Sequence, residues 1–160
     1  MRTSILALAG LLLLAGPVRA QSPLFDGLDR IHVEVDHLSD LVLDAGYDAE
    51  RVHRDVALEL GRAGFIVLSA LDTIPPGPAV AINFDATETP YGAVAYYASL
   101  ELREDVSLSR SPESVAKGSV WYTSTLGIAS PGSMEEEVQA VLDRLVETFL
   151  LDAGRITLAP

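Results

Sequence analysis

The sequence predicts an α+β fold: a two-layer sandwich in the order β-α-β-β-β-β-α, with two helices on one face of a mostly antiparallel sheet. Three observations predict it. Apolar and polar residues alternate through several short runs, the period of strands with one buried face. Two longer segments repeat their apolar residues every three or four positions, so each carries a single apolar stripe. Turn residues separate the later strand runs, and strands with one polar face suit an antiparallel sheet covered on one side only.

Residues 21–30, QSPLFDGLDR, form a lead-in with turn residues. In IHVEVDHL, residues 31–38, Ile31, Val33 and Val35 fall on one side and His32, Glu34 and Asp36 on the other. His37 points to the opposite side from these three if the alternation continues. Asp48 is placed to cap the first helix, with Glu50 in the first turn, where negative charge is favoured. Val52, Val56, Leu60 and Ala63 recur at helical spacing, and Gly64 suits a left-handed stop. FIVL, residues 65–68, is a short buried strand, so strand, helix and strand suggest a right-handed crossover.

After the stiff loop DTIPPGPA, Val80, Ile82 and Phe84 alternate with Ala81, Asn83 and Asp85 as a third strand. TETPYG is a turn. A long strand follows, with Val94, Tyr96, Ala98, Leu100 and Leu102 facing one way and Ala95, Tyr97, Ser99, Glu101 and Arg103 the other. SRSPESVAKG reads as the next turn, and SVWYTSTLGI as a fifth strand rich in aromatic and β-branched residues. Its inward face is ambiguous, because Val120, Tyr122 and Leu126 compete with Trp121. Ser133 and Glu136 have the spacing of a capping box. Glu135 to Glu137 load the positive end of the helix dipole, and Val138, Val141, Leu142, Leu145 and Phe149 form the last apolar stripe. Residues 31–152 are thus read as one domain, with 153–160 as a tail.

The first 20 residues, MRTSILALAGLLLLAGPVRA, have the layout of a cleaved secretory signal peptide: Arg2, an apolar core from Ile5 to Ala15, and small residues ahead of Gln21. The apolar core is shorter than the ~20 residues a spanning helix needs. Without residues 1–20, nine basic residues face 23 acidic ones, a net charge of −14 with histidines neutral. Such a surface repels nucleic acid and anionic lipid, and it keeps an exported protein soluble. The chain has no cysteine, which removes thiol catalysis, thiolate metal sites and lipid attachment at a signal-peptide cysteine. The expected location is periplasmic or secreted, with no membrane span after cleavage.

Motifs for chemistry are sparse. His32, Glu34 and Asp36 share a strand face, but one strand does not wrap a tetrahedral ion, and the polar neighbours Asn83, Tyr97 and Thr123 are weak zinc ligands. A metal-dependent enzyme at these three residues is the weakest of three readings. Ser130 in GIASPG lacks the glycine two residues earlier that a nucleophile elbow needs. AKGSV lacks the glycines of a phosphate loop. No cofactor is expected. Aromatic residues concentrate in the antiparallel part, and Tyr97 and Trp121 are read as facing outward, where exposed aromatics suit binding.

Taken together, IHVEV, LELGRAGFIVL, YYASLELREDVSL, SVWYTSTLG and VLDRLVETFL resemble a group of small exported bacterial α/β proteins. The layout is similar to the ABC-transport auxiliary lipoproteins, the LptE-type lipopolysaccharide-assembly lipoproteins and the CsgG/TolB-type N-terminal domains, over about residues 31–151. The resemblance implies a role in envelope assembly or transport; the lipid-bearing cysteine of those lipoproteins is missing here. The leading expectation is therefore a non-enzymatic exported module that binds another envelope protein through a face carrying His32, Glu34, Tyr97 and Trp121. The alternative is a small-molecule or lipid binder, with a cavity between sheet and helices lined by Val33, Val52, Tyr96 and Leu142.

Overall fold

The computed structural model describes residues 23–69 and 77–157. The signal-peptide reading of residues 1–20 lies outside them, as does most of the proline loop. The elements are β1 (Arg30–Leu38), α1 (Asp40–Asp44), α2 (Ala49–Arg62), β2 (Ile66–Leu68), β3 (Ala79–Glu88), β4 (Val94–Leu108), β5 (Ser111–Ala129) and α3 (Met134–Asp152). The five strands form one mixed sheet in the order β2-β1-β3-β4-β5. β1 pairs in parallel with β2 and β3; the longer ladders, β3–β4 and β4–β5, are antiparallel. The α+β class and the element order agree with the sequence reading, apart from α1, whose five residues are too few to show a period.

The helices form where their stripes and caps direct them. Asp48 Oδ1 accepts a hydrogen bond from Arg51 N at 2.7 Å and so caps α2. Gly64, at φ +92°, closes α2 with bonds from its own N–H to Gly61 O and from Phe65 N to Leu60 O. The α3 stripe is buried as the spacing requires. The capping box is not formed: Pro131–Ser133 winds into a 3-10 turn, and Ser133 Oγ bonds back to Ser130 O at 3.2 Å. The acidic first turn of α3 has specific partners instead. Glu135 pairs with Arg51 at 3.3 Å, and Glu137 accepts from the Tyr96 hydroxyl.

Ile31 and Val33 of β1, Val80, Ile82 and Phe84 of β3, and Val94, Tyr96, Ala98, Leu100 and Leu102 of β4 share one core with Val52, Val56 and Leu60 of α2 and the α3 stripe. The lead-in contributes Phe25 and Leu28 to that core. Residues 153–157 do not hang free: the turn at Gly154 returns the chain, Arg155 lies over the Phe65 ring at 4.5 Å, and its Nη2 donates to Leu28 O and Asp29 Oδ1.

The region read as a turn, SRSPESVAKG, is mostly strand. The reversal is confined to Ser109 and Arg110, and β5 begins at Ser111. Beyond the end of the β3 ladder at Arg103, β4 and β5 therefore continue as a two-stranded arm, with Pro112 inside a stretch where the register shifts. Proline is tolerated there because β5 is an edge strand. No described helix is long and apolar enough to cross a membrane.

Candidate functional site

Two clusters lie on the sheet face turned away from the core. The first is polar. Register brings Glu34 of β1 beside Ala81 of β3, which in turn opposes Glu101 of β4. A β-bulge between Val35 and His37 inserts an extra residue into β1. It leaves Asp36 and His37 on the same face, so the expectation that His37 points away from Asp36 is corrected. His37 Nε2 lies 3.9 Å from Asp85 Oδ1.

Arg103 of β4 organises this cluster. Its guanidinium approaches Glu34 at 3.7 Å and Asp36 at 2.5 Å, and its Nε donates to Glu101 at 2.9 Å. Burial alone lowers the Arg103 pKa, but hydrogen bonds to Asp36 and Glu101 more than offset it, and the net shift is upward. The carboxylates proposed as metal ligands are thus engaged by a permanent cation. Among the described residues, no group of three or more His, Asp or Glu is placed to hold a metal ion. The sequence reading set Arg103 on the correct face, yet nothing in the local pattern of β1 disclosed its partners, which come from a strand some 70 residues away.

The second cluster is apolar and aromatic. On β4 and β5, Tyr97 opposes Leu126, Ala95 opposes Ile128, and Ser99 opposes Ser124. Tyr97 is 38% exposed, Tyr122 51%, Leu126 78% and Ile128 73%. The Tyr97 and Tyr122 hydroxyls hydrogen-bond to each other. That bond raises the Tyr97 pKa, while the hydroxyls of Ser124 and then Tyr97 lower that of Tyr122.

Trp121 does not join this face, which corrects the sequence expectation. Its ring lies 5.2 Å from Phe149 and 6.3 Å from Phe25, and Nε1 donates to Asp152 Oδ2 at 3.1 Å. The reason is register: Trp121 opposes Leu102, a core residue, so Tyr122 takes the outward position. His32 and Glu34 remain on the outward face beside the Arg103 cluster, and Tyr97 belongs to the apolar one. Tyr122, Leu126 and Ile128 complete it, and the sequence reading had left Tyr122 and Leu126 as possible core.

The four residues suggested to line a cavity, Val33, Val52, Tyr96 and Leu142, are all buried in the common core. The Tyr96 hydroxyl is held by Glu137, and burial, reinforced by that bond, pushes its pKa up to about 12.

No family model matches the chain, and no curated protein matches it. Among solved structures it is similar to the hypothetical protein CT253 from Chlamydia trachomatis, at 10% identity over 78% of this chain and 96% of that one, with a TM-score of 0.47. A minor lipoprotein from Acinetobacter baumannii is 10% identical over 82% of this chain and 98% of its own, with a TM-score of 0.33. Lipoprotein GNA1162 from Neisseria meningitidis is 12% identical over 74% and 98%, with a TM-score of 0.32. Likenesses this distant carry no argument about function.

Proposed function

We propose that this chain is an exported, non-enzymatic protein that acts by binding another protein through the outward face of β4 and β5, in envelope assembly or transport. The reading takes α2 and α3 as one layer over a single side of the sheet, which leaves the opposite side for a partner. The observation that carries it is the apolar cluster of Tyr97, Tyr122, Leu126 and Ile128, exposed together on adjacent strands. Clustered aromatic and aliphatic side chains bordered by charge, here Asp85 opposite Tyr97 and Glu101 opposite Tyr122, have the composition of an interface centre with a polar rim. The signal-peptide layout supports export to the periplasm or beyond, and the acidic composition suits an exported soluble protein. The polar cluster around Arg103 supplies a charged rim to that surface.

Site-specific photocrosslinking in the producing cell tests the reading. A benzophenone side chain at Leu126 is expected to give a defined protein adduct. The same group at Arg54, an exposed position on α2, is expected to give none. No adduct at Leu126, or the same adducts at both positions, overturns the proposal.

A further inference from the structure

β5 is one of the two edges of the sheet, the other being the three-residue β2, and its two halves differ in composition. The arm half, 111–117, carries Pro112, Glu113 and Lys117. Proline and charge are the usual guards against edge-to-edge pairing. The half beside the core, Gly118–Ala129, has no charge and no proline: its sequence is GSVWYTSTLGIA. Among the described residues no backbone–backbone bond outside the sheet ladder reaches this half, and Ser119 Oγ donates to Trp121 O at 3.3 Å. An unguarded edge of high β-propensity beside exposed Tyr122, Leu126 and Ile128 is expected to be covered in the working protein.

We propose that a second copy of this chain covers it, with the two β5 strands pairing antiparallel about a twofold axis at Ser124 to continue the sheet across both copies. The inference rests on the protein-binding reading above and names one partner for the β5 edge that borders that face. Two arguments select the second copy. The first is charge. A chain with nine basic and 23 acidic residues after loss of 1–20 repels its own kind over most of its surface, and the half of β5 that carries no charge of its own is the stretch of edge that adds none to that repulsion. The second is self-complementarity. A twofold axis at Ser124 sets Tyr122 opposite Leu126 of the other copy, and Leu126 opposite its Tyr122. On the other sheet face it sets Thr123 opposite Thr125. Aromatic–aliphatic and Thr–Thr pairs are favourable cross-strand neighbours, and the isologous arrangement makes each of them twice.

Light scattering and sedimentation of the full exported chain are expected to give twice the chain mass, with an association that tightens as salt screens the acidic surfaces. Leu126→Lys is expected to weaken it at least tenfold. Leu58→Lys, at another exposed apolar position, on α2, is expected to leave it unchanged. Because the chain has no cysteine, Ser124→Cys reports the register directly. Directly opposed residues bring their Cα atoms to ~4.5–5.5 Å, within disulfide reach, so this variant is expected to oxidise to a covalent dimer, whereas Val115→Cys is not. A monomer at every concentration, or a dimer indifferent to Leu126→Lys and uncrosslinked at position 124, overturns the inference. Should the chain be monomeric while Leu126 crosslinks to a different protein, the inference falls and the protein-binding reading stands.

Discussion

Gly127 is the position where one methyl group is expected to cost most. It opposes Tyr96 across β4 and β5, and the tyrosine ring lies directly on it. A Cβ built on Gly127 would stand 2.3 Å from Tyr96 Cζ and 2.2 Å from its hydroxyl oxygen. To restore an ordinary carbon contact of ~3.5 Å the ring must retreat by roughly 1 Å. It has nowhere to go: Phe84 packs on it at 5.7 Å, and its hydroxyl is held by Glu137. Overpacking of this kind costs ~1–3 kcal/mol, and losing a hydrogen bond to a carboxylate adds ~1.5–3 kcal/mol where the bond breaks outright. Replacing a strand glycine by alanine returns ~0.5–1 kcal/mol of chain entropy. Gly127→Ala should therefore destabilise by about 2–4 kcal/mol, a fall in Tm of roughly 5–15 °C for a domain of this size. Urea unfolding followed by the fluorescence of Trp121, the single tryptophan, measures it. Tyr96→Leu removes the clashing atoms, so in that background Gly127→Ala should cost little or nothing. A midpoint for Gly127→Ala within ~0.5 kcal/mol of wild type, or the same cost in both backgrounds, refutes the packing argument.

The same tyrosine sets an alkaline limit. Its folded pKa of about 12 lies above the ordinary value of 10, so the protonated phenol favours folding below pH 10, and that contribution is lost as pH rises from 10 towards 12. Tyr96→Phe should flatten the loss of stability over this window, leaving a smaller slope from Tyr47, which burial also raises; an unchanged slope contradicts the assignment. The two faces of β1 should separate by mutation: Val33→Asp puts an unpaired charge into the core and should cost ~3 kcal/mol or more, whereas Glu34→Lys exchanges one arm of the Arg103 network and should cost ~1 kcal/mol or less. Equal losses on urea titration would remove the distinction between a buried and an outward face.

What the sequence made legible follows from periodicity. β3 and β4 alternate without interruption through Val80–Phe84 and Val94–Leu102, and both long helices carry one stripe, so their inward residues could be assigned from spacing alone. The failures share a cause: a register set by the partner strand rather than by the chain itself. The bulge after Val35 moved His37 to the side of Asp36, and no local residue announces it. β5 carries apolar and polar residues on both faces, so only pairing with Leu102 shows that Trp121 turns inward and Tyr122 outward. Ser133 has the spacing of a capping residue, but the turn forced at Pro131 spends its hydroxyl on Ser130. The candidate surface was half legible for the same reason: Tyr97 lies on the regular strand, and its apolar neighbours lie on the ambiguous one.

That ambiguity has a physical meaning. A strand buried on one face and solvated on the other alternates, as β4 does, because water penalises exposed apolar side chains and the core penalises polar ones. β5 departs from the rule on its outward side, with Tyr122, Leu126 and Ile128, while its inward side is half polar, with Thr123 and Thr125 opposing Leu100 and Ala98. On the proposed reading, the outward side meets a protein surface. On that reading the absence of charge from Gly118 to Ala129, in a chain otherwise rich in carboxylates, would limit repulsion at the contact, and the charges and proline of the arm would keep the rest of the edge from pairing.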